Sequence, residues 1–65
     1  MFASFKGKVV DLYNDNMSII RRFQMKSEVV NANINGSGKD AQIAITMKDG
    51  HFEVYKSNGS LVRRG

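Results

Sequence analysis

Apolar and polar residues alternate along most of the chain with a period near two, and short turn signals interrupt the alternation roughly every ten residues. Lys8 to Asn14 (KVVDLYN) reads as the first clear strand, and Asp15-Asn16 turns it into a second over Ser18 to Met25. A third strand, Glu28 to Ile34, runs into the polar loop Asn35-Gly36-Ser37-Gly38-Lys39-Asp40. Gln42 to Lys48 follows, then His51 to Lys56 after the turn Asp49-Gly50, and Ser60 to Arg64 after Asn58-Gly59. No window keeps apolar residues at the three- and four-residue spacing of a helix face. The expected fold is all-β: a small antiparallel meander of five or six strands, shaped as a half-open barrel or a compact sandwich, in one domain over residues 1–65. Phe2 and Phe5 precede the first clear strand, where they would cap an open barrel end or form the apolar contact of an oligomer.

Asp49-Gly50 is the strongest hairpin signal, and a two-residue loop there sets a definite register. It places Lys48 opposite His51, Met47 opposite Phe52 and Ile45 opposite Val54. Opposed residues share a face, so Ile43, Ile45, Met47, Phe52 and Val54 are expected in the core, with Thr46, Glu53 and Tyr55 on the other side.

The chain also repeats itself at an offset of 42 residues, since residues 10–22 align without a gap to residues 52–64. Five of the thirteen columns are identical, and the shared pattern is apolar, acid, aliphatic, Tyr, two variable positions, Asn, variable, Ser, aliphatic, aliphatic, Arg, Arg. Two equivalent hairpins are therefore expected, flanking a different central pair. Both tyrosines and all four arginines fall at matching positions within them. One reading is structural, with Asp11 and Glu53 as cross-strand ion partners of the arginines. The other makes Tyr13, Arg21, Arg22, Tyr55, Arg63 and Arg64 a paired anion-binding surface. Guanidinium forks suit phosphate and tyrosine rings can stack on a base. Only one arginine of each pair can share the tyrosine face: Arg22 and Arg64 after turns of two or four residues, Arg21 and Arg63 if each turn contains a bulge.

Composition narrows the function classes. A formal charge of +4 in so small a domain favours polyanionic partners. The absence of cysteine removes disulfides and thiolate metal sites and fits a cytoplasmic setting, and one histidine cannot build a multi-histidine site. No apolar run exceeds three residues, so no signal-peptide or membrane-spanning segment is expected. With a thin core and no staple, a homo-oligomer is expected. Gly36-Ser37-Gly38-Lys39 lacks the first glycine and the Ser/Thr of a phosphate-binding P-loop, and a strand follows it rather than a helix. Lys39 is left as a contact for a backbone phosphate, with Lys56 as further electrostatic support. His51 should be exposed, and no nucleophile has a base and orienting acid by motif, so no catalysis and no cofactor are expected. Met17, Met25 and Met47 read as gap-fillers in the core. The function expected is a non-catalytic module for nucleic acid or another phosphate-bearing ligand such as a nucleotide. The alternative is a protein-binding inhibitor or self-assembling module, of the kind made by a virus or mobile element, clamping an acidic protein surface.

Overall fold

The computed structural model describes residues 1–36 and 38–65, and of Lys39 only its backbone. Among the described residues seven antiparallel strands form two sheets. The first has the order β1 (Phe2–Lys6), β2 (Val9–Tyr13), β3 (Ile19–Gln24). The second has the order β4 (Val29–Asn35), β5 (Gln42–Met47), β6 (Phe52–Lys56), β7 (Leu61–Arg64). One short 3-10 turn, Gly38–Asp40, leads into β5. Among the described residues there is no α-helix. The all-β expectation holds, and the six strands read from the alternation lie within a residue of their observed ends. The count of five or six is corrected to seven, because Phe2–Lys6 is a strand paired with β2.

Every ladder joins strands that are neighbours in sequence. The sheets face each other across one core, with Val10, Leu12 and Phe23 from the first sheet and Val29, Ile43, Ile45 and Met47 from the second. Val10, Leu12, Ile43 and Ile45 are fully enclosed, and each such side chain contributes about 1.5–3 kcal/mol by leaving water. On one side β1 runs beside β4, where the Val29 N–H donates to Gly7 O at 2.8 Å. Strands β3 and β7 are the other two outer strands. Met25 and Met47 fill the core as expected, whereas Met17 stands at a turn, 68% exposed.

Three hairpins close with the same turn. The Asn14 N–H donates to Ser18 O, Met47 N–H to His51 O, and Lys56 N–H to Ser60 O, at 2.8–2.9 Å. Each encloses three residues, the last at positive φ: Met17 at 69°, Gly50 at 92° and Gly59 at 95°. This is the three-residue connection in which a left-handed residue forms a bulge.

The extra loop residue corrects the register expected around Asp49-Gly50. Thr46 faces Phe52, Ala44 faces Val54, Ile45 faces Glu53 and Ile43 faces Tyr55. A slip of one residue turns a whole strand over. Glu53 and Tyr55 therefore join Ile43, Ile45 and Met47 on the inner face, and Phe52 and Val54 lie on the outer face with Ala44 and Thr46, where Val54 is still buried as expected and Phe52 is exposed. Tyr55 packs against the core cluster and its ring lies 4.9 Å from that of Phe23.

Candidate nucleic-acid interface

The two repeated units are the same hairpin in detail. In the first, Asp11 faces Arg22, Leu12 faces Arg21 and Tyr13 faces Ile19, leaving Ile20 as a bulge. In the second, Glu53 faces Arg64, Val54 faces Arg63 and Tyr55 faces Leu61, leaving Val62 as a bulge. The three-residue turn shifts the register once and the strand bulge shifts it again. Arg22 therefore shares the face of Tyr13, and Arg64 that of Tyr55.

The units are mounted in opposite senses. Leu12 of the first unit points into the core, so Asp11, Tyr13 and Arg22 lie on the outer face of the first sheet. In the second unit it is Tyr55 that turns inward, taking Glu53 and Arg64 with it. The fold therefore does not unite Tyr13, Tyr55 and the four arginines on one surface.

The acids occupy one arginine of each pair. Arg22 Nε donates to Asp11 Oδ1 at 2.7 Å, and this carboxylate raises the guanidinium pKa above its usual value. Arg64 Nε donates to Glu53 Oε2 at 3.1 Å, while the Tyr55 hydroxyl donates to Glu53 Oε1 at 2.5 Å. Burial, followed by the Glu53 hydrogen bond, raises the phenol pKa of Tyr55. The first unit has the shorter acid, and its tyrosine stacks instead on Phe2, with ring centres 4.8 Å apart and planes at 8°.

The other two arginines have no carboxylate partner among the described residues. Arg21 reaches across to the turn of the second unit, where a Cβ on Gly59 would stand 2.9 Å from Arg21 Nη1. Arg63, opposite Val54, falls on the outer face of the second sheet. Lys56, opposite Gln42, shares that face. The Lys39 side chain lies outside the described residues.

That outer face is a regular grid. One row runs Asn31, Thr46, Phe52; the next Asn33, Ala44, Val54, Arg63; the third Asn35, Gln42, Lys56. Its strand positions carry two cations, an exposed aromatic ring and a set of amides, and no carboxylate. Phe52 leans toward Gly65, where any side chain would meet its ring. Asn31, Asn33 and Asn35 escaped the sequence reading. The signal was Asn-Ala-Asn-Ile-Asn itself, since asparagine is a poor strand former and here recurs at alternate strand positions.

His51 is exposed as expected, with Nδ1 3.2 Å from Gly65 O. It lines a cleft of about 210 Å³ with Lys26, Ser27, Met47, Asp49, Glu53 and Arg64. Among the described residues no group of three or more His, Cys, Asp or Glu is placed to hold a metal ion, and no helix is long and apolar enough to cross a membrane. Comparison with protein-family models, curated proteins and solved structures returned no match.

Proposed function

We propose that this chain is a non-catalytic module that binds nucleic acid on the outer face of its four-stranded sheet. One observation carries the reading: Lys56, Arg63, Phe52 and a row of amides share a face whose strand positions bear no carboxylate. Lysine and arginine neutralise phosphates and release counterions, while an exposed ring stacks on a base. Arg22 and Arg64 contribute little, because each guanidinium already faces an acid. The ion pairs also support a non-catalytic role, since Asp11, Glu53 and Tyr55 are engaged by their own neighbours.

Oligonucleotide anisotropy titrations at several salt concentrations test this. Lys56→Ala with Arg63→Ala should weaken binding and flatten the salt dependence by about 0.7–0.9 in slope for each phosphate no longer neutralised. Arg22→Ala with Arg64→Ala should leave the slope nearly unchanged. The reverse ranking overturns the assignment of the face.

The self-assembling alternative is favoured by a separate observation on the first sheet. Phe2, Tyr13 and Ile19 form one row of its outer face, beside exposed Met1 and Met17. The occupant this face fits is a second copy of the chain. About a two-fold axis the apolar row of one copy would cover that of the other.

A further inference from the structure

Asn31, Asn33 and Asn35 are all exposed, and the ladder that carries them pairs without interruption from Asn31 opposite Thr46 to Asn35 opposite Gln42. Alternate residues of a strand are about 6.8 Å apart, roughly twice the 3.4 Å spacing of stacked nucleotides. A row of amides with that spacing matches bases that have been drawn apart, one base to each side chain. By contrast, Asn14 and Asn58 turn their side-chain carbonyls to the backbone N–H groups of their own turns.

The rest of the face agrees with an unpaired strand. Lys56 and Arg63 lie on β6 and β7, on the opposite side of the face from the asparagines of β4. Between them the middle row holds only Ala44 and Val54, and Val54 is 5% exposed. A backbone held at Lys56 and Arg63 therefore lays its bases across this apolar middle row, where Val54 is covered by its neighbours, toward the amides, with Phe52 at one end for a base to stack on. A duplex does not fit these groups. Four strands at about 4.8 Å spacing span about 14 Å before side chains are added, wider than the roughly 12 Å major groove. Against such a face a duplex presents its phosphates and keeps its bases out of reach.

Resting on the nucleic-acid reading of this face, we infer that its ligand is an extended single strand, whose bases are read by Asn31, Asn33 and Asn35 while Lys56 and Arg63 hold the phosphates. An asparagine amide offers a donor and an acceptor side by side, which pairs with the N6 and N7 edge of adenine. Adenine-rich strands are the preferred class.

The test uses homopolymeric DNA of about 12 nucleotides, within the usual footprint of a small single-strand binder, as oligo-dA, oligo-dT and their duplex at one salt concentration. Oligo-dA is expected to bind at least about tenfold more tightly than the duplex and several-fold more tightly than oligo-dT. The variant Asn31→Thr with Asn33→Thr and Asn35→Thr keeps polar side chains and improves strand propensity, so it should fold. It is expected to lose the preference for oligo-dA while its salt slope stays that of the wild type. Equal binding of duplex and single strand, or an unchanged base preference in the variant, overturns the inference and leaves the nucleic-acid reading standing. Failure of the wild type to bind any of the three overturns that reading itself.

Discussion

Met17 and Gly59 occupy the same backbone position in the two repeated hairpins, at φ 69° and 95°, although one carries a long side chain and the other none. A residue with a Cβ is strained there by about 1–2 kcal/mol, and the side chain of Met17 recovers little of it because it is mostly exposed. Met17→Gly should therefore raise the stability by about 1 kcal/mol in urea denaturation, part of the gain being offset by the freer unfolded chain. Gly59→Ala should lower it, since the new methyl group adds the same strain and displaces Arg21. A loss of stability in Met17→Gly would show that the methionine side chain packs against something on its surface.

The inward mounting of Tyr55 should be visible in an alkaline titration. Burial and Glu53 raise its pKa, so the folded protein holds the neutral phenol to higher pH than the unfolded chain does. The corresponding stability is fully present below the unfolded value of about 10 and is lost as the pH rises through the folded value. Ultraviolet titration should show phenolate appearing above pH 10, and Tyr55→Phe should remove that late component. The same variant gives up a hydrogen bond to a carboxylate and should cost about 1 kcal/mol at neutral pH.

Asp49 ties two segments together, accepting from the His51 N–H at 3.0 Å and from the Ser27 hydroxyl at 2.8 Å. These two donors, the backbone one first, lower its pKa. The stability this provides is present above the unfolded value near 4 and is lost as the pH falls through the lower folded value. Asp49→Asn keeps an oxygen acceptor for the turn but removes the charge. Its melting temperature should lie below that of the wild type at neutral pH, and the gap should close as the pH falls through the folded value of Asp49. A gap that persists in acid would mean the carboxylate acts through its shape rather than its charge.

The apolar row on the first sheet predicts weak self-association. Ile19 is 51% exposed in that row, and Ile19→Asp should raise the dimer dissociation constant at least about tenfold, equivalent to roughly 1.4 kcal/mol. Sedimentation velocity reads the shift, and the salt dependence of nucleic-acid binding should not change. A monomer mass for the wild type at millimolar concentration removes the second copy as the occupant of this face.

Much of this architecture is legible in the sequence because alternation and turn chemistry are local signals. The six strands from Val9 onward follow from them, and the repeat at an offset of 42 residues reappears as two hairpins with the same bulge. What escaped depends on a single residue of register. Asp49-Gly50 suits a two-residue turn, yet Lys48 joins the loop, and that one step carries Phe52 and Val54 outward and brings Tyr55 in. The candidate site turns on the same step. A shared motif specifies which side chains sit together on a strand, but which face meets the core is decided by the opposing sheet. Leu12 faces the opposing sheet in place of Tyr13, while Tyr55, packed against Phe23, faces it in place of Val54, which is buried on the other side. Phe2–Lys6 was missed for another reason: its apolar residues do not alternate cleanly, since Phe2 and Phe5 are three apart and lie on opposite faces, paired with Tyr13 and Val10.

The nearest-neighbour ladders also govern how fast the chain reaches this structure. Each ladder forms by closing a connection between strands consecutive in sequence, and hairpins of this kind form in about 1–10 μs. The long-range step is the docking of one sheet on the other about the core that Val10, Leu12 and Phe23 share with Ile43 and Ile45. Connections between consecutive strands set the rate of such a chain above that of sheets of the same size with crossed connections. The sequence contains no proline, so refolding has no isomerisation step lasting tens of seconds. The step expected to limit folding is the meeting of the two sheets rather than the closing of any one hairpin.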